Sequence, residues 1–168
     1  VTSINGSGIS YGAGIHISGG GSHATIKNSS LTGSKGTMEL NDTNYYAAND
    51  LWVGGNVYVT VENSTIGTVF VNTTGAPTTS VHGNLTVKGA ETKISYLSGD
   101  TDVADKNGNL GSFITIKDGN FETIFDKGIY AISGGVFKNE VKPEWCTDGF
   151  IPTTNEDGTY GVKSGKYV

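Results

Sequence analysis

The chain of 168 residues contains no arginine and no glutamine, so all eleven basic residues are lysines. Without guanidinium groups, no side chain can hold a phosphate or a carboxylate through two parallel hydrogen bonds. The formal net charge is -5 at pH 7. Because binding to a nucleic acid backbone requires a basic face, the sequence argues against nucleic acid as a partner.

Cysteine, metal-binding spacings and long apolar runs are also lacking. Cys146 is the single cysteine, which excludes an internal disulfide and leaves either a small buried side chain or a free reactive thiol. The histidines at positions 16, 23 and 82 show no zinc-type spacing and are expected at the surface. No apolar run approaches the roughly 18 residues of a membrane span, so we predict no membrane insertion.

Glycine and turn-forming residues dominate what is present. The 26 glycines are about twice the average usage, and they accompany many Thr, Ser, Asn, Val and Ile residues. Runs of the helix-favouring residues Ala, Leu and Glu are almost absent. This composition is typical of strands joined by tight turns, and it predicts an all-β chain of one domain.

A short motif recurs along the chain, and its clearest copy runs from Thr115 to Phe121. Each copy has two apolar residues separated by one spacer residue, then a turn residue, and then another large apolar residue. Residues two positions apart face the same side of a strand. Each copy therefore predicts two inward-facing strands joined by a corner. The second apolar residue of each copy, the anchor, is Ile4, Ile26, Val61, Val87, Ile116 or Ile132.

The residues after the anchors complete the unit. Residue types that tolerate strained backbone follow two positions later, at Gly6, Asn28, Asn63, Gly89, Asp118 and Gly134. Large apolar residues return five to seven positions after the anchors, at Ile9, Leu31, Ile66, Ile94, Phe121 and Phe137. The spacing between anchors is irregular, which suits stacked coils whose corners accept insertions. Residues 1–141 are therefore predicted to form a parallel β-helix, or β-solenoid.

The repeat stops after Phe137. Asp157-Gly158 lies between two apolar segments and predicts a hairpin, so we interpret residues 142–168 as a cap on the last coil within the same domain. Caps suppress association through open ends. The other end enters the repeat at Ile4 without such a cap, so we expect a truncated chain or a preceding coil, and end-to-end self-association is an alternative.

The tail resembles the elements that close β-helix modules in large cell-surface proteins of gut Firmicutes. The similar stretches are Ile132-Ser133-Gly134-Gly135-Val136-Phe137, Cys146-Thr147-Asp148-Gly149-Phe150-Ile151 and Asp157-Gly158-Thr159-Tyr160. Phe150 stands where the family often has tyrosine. The resemblance implies a right-handed, single-stranded, pectate-lyase-like β-helix, in agreement with the right-handed bias of parallel crossovers. It also implies an adhesin-like protein at the cell surface or outside the cell, without an assigned reaction.

Enzymes with similar folds degrade polysaccharides, so catalysis is an alternative function. The lyases commonly use an arginine base, and the hydrolases share Asn-Thr-Asp, Asp-Asp, Gly-His-Gly and Arg-x-Lys elements, all of which are missing here. The acidic residues show no spacing typical of a glycosidase pair. We therefore predict no catalytic residues and a non-catalytic stalk or adhesion surface, with a glycan or a host surface protein as partner. A polysaccharide lyase or glycoside hydrolase remains the alternative.

Two insertions carry the candidate binding residues. The longest runs from Thr32 to Trp52 and either stacks sugar rings on its aromatic side chains or folds over the coil as a lid. Its candidate ligand-binding residues are Tyr45, Tyr46, Asp50 and Trp52. The second insertion has the alternating oxygen ligands of a calcium loop without the closing glutamate of an EF-hand, and is either a calcium site or a polar corner. Its candidate ligands are Asp100, Asp102, Asp105, Asn107 and Asn109. No other cofactor is suggested.

Overall fold

The computed structural model describes residues 13–18, 21–32, 49–74, 81–100 and 112–166. Within these ranges the chain is all-β as predicted, with one short 3-10 helix, Pro143–Trp145, and no α-helix. The strands are β1 (Ala13–Ile17), β2 (Ser22–Lys27), β3 (Ser30–Leu31), β4 (Asn49–Val53), β5 (Val57–Glu62), β6 (Thr65–Val71), β7 (Thr73–Thr74), β8 (Val81–His82), β9 (Asn84–Lys88), β10 (Lys93–Gly99), β11 (Phe113–Ile116), β12 (Asn120–Ile124), β13 (Ile129–Ile132), β14 (Val136–Phe137), β15 (Phe150–Thr154) and β16 (Tyr160–Ser164).

Most strands belong to two sheets. A five-stranded sheet, with the order β13-β11-β9-β5-β2, is entirely parallel. A nine-stranded sheet has the order β1-β4-β6-β10-β12-β14-β16-β15, and β3 also pairs with β6. Its pairs are parallel as far as β14 and antiparallel beyond it. From β9 to β14 the chain alternates between the two sheets, so each repeat adds one strand to each sheet.

The predicted anchors lie in one column on the inner face of the five-stranded sheet. In register across the strands they are Ile26, Val61, Val87, Ile116 and Ile132, and all five are buried. The apolar residues two positions earlier form a second inner column of Ala24, Val59, Leu85, Ile114 and Tyr130. The alignment predicted from the motif is therefore correct for the five described copies, while Ile4 lies outside the described residues.

The returning apolar residues form the matching column of the nine-stranded sheet. In register they are Leu31, Ile66, Ile94, Phe121 and Phe137, and all are buried in one apolar core with the anchors. The last two rings stack, with centroids 4.9 Å apart. Full burial of each such side chain contributes about 1.5–3 kcal/mol, so these columns supply much of the driving force for folding.

Left-handed backbone marks the corners between the two sheets. Asn28, Asn63 and Gly89 have φ angles of 51°, 46° and 86°, as predicted for residues that tolerate this conformation. Asn28 and Asn63 hold equivalent corner positions; whether their amides form a ladder stays a prediction.

The predicted corner is one residue too early in the last two repeats. The left-handed residues there are Gly119 and Gly135, with φ angles of 121° and 106°, instead of Asp118 and Gly134. Such angles lie beyond the left-handed region that asparagine or aspartate tolerates, so only glycine fits. The Asp118 carboxylate instead accepts the Gly119 N–H at 2.8 Å and stabilises the corner.

β4 corrects the predicted extent of the longest insertion. The insertion was expected to run as far as Trp52, but residues 49–53 form a strand that pairs with β1 and β6. Leu51 and Val53 are fully buried opposite Val69 and Val71. The signal for this strand was present in the sequence, since Leu51 and Val53 are two positions apart and Gly55 follows Val53 at the spacing of the motif.

The predicted C-terminal hairpin is present and extends the nine-stranded sheet. β15 and β16 are antiparallel, and Tyr160 of β16 lies opposite Phe137 of β14. In the turn, Asn155 N–H donates to the Thr159 carbonyl at 2.8 Å. The chain therefore reverses direction against the last parallel strand of this sheet.

The short 3-10 helix covers the last strand of the five-stranded sheet. Its Trp145 is 8% exposed and packs on Tyr130, with ring centroids 5.1 Å apart. Cys146 forms a parallel bridge to Ile132. The hairpin and the helix together cover the final repeat at both sheets.

Candidate functional site

The outward side chains of the five-stranded sheet form three columns across the strands, which we call the outer face. Adjacent strands lie about 4.8 Å apart, so residues in a column are direct neighbours. The first column is His23, Tyr58, Asn84, Phe113 and Ile129. The second is Thr25, Thr60, Thr86, Thr115 and Ala131. The third is Lys27, Glu62, Lys88 and Lys117.

The first column exposes large apolar groups to solvent. Tyr58, Phe113 and Ile129 are 47%, 38% and 40% exposed. The Tyr58 ring stacks on His23, with centroids 4.8 Å apart and planes 12° apart, which holds the aromatic surface in place. Asn84 separates Tyr58 from Phe113 and Ile129, so the column offers two separate exposed apolar groups for contact with a ligand.

The second column is a row of hydroxyl groups. Thr60, Thr86 and Thr115 are partly buried, and within the described residues none of their hydroxyls has a hydrogen-bond partner. Threonine is shorter than the tyrosine, phenylalanine and lysine side chains on either side. The threonines therefore form the floor of a shallow channel that runs across the strands.

The third column is charged. Glu62 accepts hydrogen bonds from Lys27 at 2.9 Å and from Lys88 at 3.2 Å. These two bonds, the one from Lys27 first, lower the pKa of the Glu62 carboxyl. Lys117 directly follows β11, its N–H donates to the Val87 carbonyl at 2.9 Å, and it forms no ion pair with any described residue.

We expect the Glu62 carboxyl to titrate below its ordinary pKa of 4.5, measured by carbon-13 NMR. In Lys27→Gln the midpoint should move up towards that value. Because the folded-state pKa is lowered, these bonds stabilise the protein above the unfolded-state pKa, and their contribution is lost as the pH falls through the folded-state pKa. Lys163→Gln, on the exposed hairpin, is the control and should leave the midpoint unchanged. Equal midpoints in wild type and Lys27→Gln would contradict the assignment.

Of the four predicted sugar-binding residues, Asp50 and Trp52 lie within the described residues, and Tyr45 and Tyr46 lie outside them. Both described residues belong to β4. Trp52 stacks on His16, with centroids 4.4 Å apart, and its Nε1–H donates to Asn72 Oδ1 at 3.0 Å. These contacts fix the indole in the packing of the nine-stranded sheet.

The Asp50 carboxylate is part of the sheet structure. It is 2% exposed and accepts the backbone N–H of Thr68 at 2.9 Å. A Cβ atom at Gly67 would lie 2.3 Å from Asp50 Oδ2, so the glycine makes room for this bond. Asp50 thus satisfies a buried donor of β6.

The column that contains Trp52 is open at His16 but covered beyond Trp52. Its next two members, Phe70 and Ser98, are 2% and 0% exposed. A ligand therefore cannot reach these positions directly from solvent. Of the described sheet faces, the outer face has the stronger case for binding.

Only Asp100 of the predicted calcium ligands lies within the described residues; Asp102, Asp105, Asn107 and Asn109 lie outside them. The Asp100 N–H donates to Val71 O, and the Ser112 N–H donates to Asp100 O at 3.1 Å. These bonds bring together the two ends of the insertion. Across the described ranges, no group of three or more potential ligand side chains could hold a metal ion. The calcium site stays a prediction.

Two carboxylates line an open cavity of about 400 Å³ beside the hairpin turn. Glu122 pairs with Lys138 at 2.9 Å. Asp157 accepts the hydroxyl and the N–H of Thr159, which lower the pKa of its carboxyl. A glycosidase acid needs a raised pKa, so the lowered pKa of the Asp157 carboxyl does not suit the acid role.

His82 and Cys146 differ in their surroundings. The surface expectation holds for His16 and His23 but is wrong for His82, which is 7% exposed and packs edge-on against Phe113, with centroids 4.8 Å apart. Its strand β8 pairs with β7, a contact that no periodicity in the sequence indicates. Cys146 is partly buried, and burial raises the pKa of its thiol, which disfavours the reactive thiolate.

Comparison with protein-family models, curated proteins and solved structures gives no match for this chain. The described part of the chain holds no helix with the length and apolar character needed to cross a membrane. Function is therefore inferred from the chemistry of the exposed faces, of which the outer face has the most regular arrangement.

Proposed function

We propose that the chain is a non-catalytic, right-handed parallel β-helix module of a bacterial surface protein, and that its outer face binds carbohydrate. The aligned apolar columns of both sheets and the alternation of strands between them support a helical path of the chain. The cover over the last repeat supports the resemblance of the tail to closing elements of surface proteins. Right-handedness rests on the general preference of parallel crossovers.

The outer face is the observation on which the binding role depends. Sugar rings present apolar C–H faces surrounded by hydroxyl groups, so they suit an aromatic surface next to hydrogen-bonding groups. Tyr58 and Phe113 offer the aromatic surface, and the four threonines of the second column offer donors and acceptors beside it. This combination of aromatic rings beside a row of hydroxyl groups favours a glycan as the ligand.

Affinity electrophoresis against a panel of soluble polysaccharides tests this function. We expect wild type to be retarded by at least one polymer, and Tyr58→Ala to bind about fivefold more weakly because an aromatic contact is lost. Tyr96→Ala is a matched control, since Tyr96 is 44% exposed and stacks on Phe125 in the nine-stranded sheet. It should bind as wild type does.

The same samples discriminate the enzymatic alternative. A non-catalytic module releases no reducing ends and no unsaturated products from the bound polymer. Release of either by wild type would favour a hydrolase or a lyase. Retardation of wild type and Tyr58→Ala to the same extent would refute binding at the outer face.

A further inference from the structure

The outer face has the opposite charge to the whole chain. Its third column contains three lysines and one glutamate, a net charge of +2, whereas the whole chain has a net charge of -5. Lysines are thus concentrated on this face although acidic residues outnumber them overall. Such a concentration attracts negatively charged ligands.

Lys117 is the member of this column that has no acidic partner among the described residues, and its neighbour Lys88 shares the single carboxylate of Glu62 with Lys27. Lys88 and Lys117 are neighbours on β9 and at the end of β11, and like charges side by side on adjacent strands destabilise a sheet. Glu62 lies on the far side of Lys88 and binds both Lys88 and Lys27. An anionic group placed over Lys88 and Lys117 would offset their repulsion.

The three columns run in one direction, across the strands. A ligand that follows them meets a threonine on each of the strands β2, β5, β9 and β11, about every 4.8 Å. The threonine floor lies between the aromatic column and the lysine column. A linear polymer lying on the threonines could therefore contact both neighbouring columns along its length.

We propose that the outer face binds an anionic linear polysaccharide that lies across the strands. Its sugar rings contact Tyr58 and Phe113, its hydroxyls bond to the threonine column, and its carboxylate or sulfate groups pair with Lys88 and Lys117. This inference rests on the proposed carbohydrate binding and adds the charge of the ligand and the direction in which it lies.

A matched pair of polymers tests the charge of the ligand. Carboxymethyl cellulose and hydroxyethyl cellulose share one backbone, and only the first is anionic. We expect wild type to bind the anionic polymer more tightly, with an affinity that falls as sodium chloride is raised. Lys117→Gln should weaken binding to the anionic polymer about two- to fivefold and leave the neutral polymer unaffected. Lys163→Gln removes an equal charge from the hairpin and should change neither affinity.

Different outcomes separate the two proposals. Equal affinity for both polymers, with a loss in Tyr58→Ala but none in Lys117→Gln, would overturn the anionic inference and leave carbohydrate binding intact. An equal loss in Lys117→Gln and Lys163→Gln would show that the anionic polymer binds by overall charge and would also overturn it. Displacement of the polymer by poly-glutamate at equal charge concentration would show that no sugar contact is made. Failure of the whole polysaccharide panel would overturn both proposals.

Discussion

Replacing Ile116 with aspartate is expected to abolish the folded state at room temperature. Ile116 is fully buried and lies in register between Val87 and Ile132. Burial of an unpaired carboxylate costs several kcal/mol, a large share of the roughly 5–15 kcal/mol by which folded domains are stable. Circular dichroism should show loss of the strand signal and of a cooperative melting transition.

Thr115→Asp is the matched control for this substitution. Thr115 is the preceding residue and points to the opposite side of the same strand, where a new carboxylate stays hydrated. Because Thr115 is partly buried in an interior strand and aspartate has low strand propensity, this substitution should cost about 1 kcal/mol, well below the cost of Ile116→Asp. If Ile116→Asp and Thr115→Asp melt at the same temperature, the inward assignment of the anchor column is wrong.

Trp145→Ala is expected to lower the free energy of unfolding by about 3–5 kcal/mol. The indole covers Tyr130 and borders the core beside Phe121, Phe137 and Val141. Its removal leaves a void and exposes the last strand of the five-stranded sheet, β13. Urea unfolding followed by fluorescence and circular dichroism measures the loss.

The same variant should associate at high protein concentration, since an uncovered sheet end is a template for pairing. Light scattering across a concentration series detects this change. Trp145→Phe, which keeps an aromatic ring on Tyr130, should lose less stability and stay as dispersed as wild type. A Trp145→Ala protein with wild-type stability would show that the 3-10 helix does not cover the core.

The inner columns could be predicted from the sequence because burial requires apolar side chains at fixed spacing. Even the copy at Val87, whose apolar residue returns only at Ile94, is aligned as the motif predicts. The corners were less accurate, since a bend can place its left-handed residue at either of two positions. In the repeat of Ile116 the left-handed residue is Gly119, with a φ angle of 121°. The sequence does not specify whether Asp118 or Gly119 takes this conformation.

The outer face was not predicted, although its signal lies in the same motif. Threonine occupies the spacer position in four of the five described copies, at Thr25, Thr60, Thr86 and Thr115. Outward residues are free to vary, so their columns become visible only when the register is known. Trp52 shows the reverse difficulty: an aromatic residue near an insertion suggests a binding platform, but its packing against His16 depends on strands far apart in the sequence.

One residue of the hairpin limits how the protein can associate. Pro152 lies in β15, the last strand of the nine-stranded sheet. Asn155 N–H bonds to Thr159 O, and Gly165 N–H bonds to Gly149 O, so by alternation the nitrogen of Pro152 points away from β16 to the free edge. Proline has no N–H to donate there, and a further strand could not pair along that edge. Pro152 thus disfavours growth of the nine-stranded sheet at β15, and the association caused by loss of Trp145 is expected at β13.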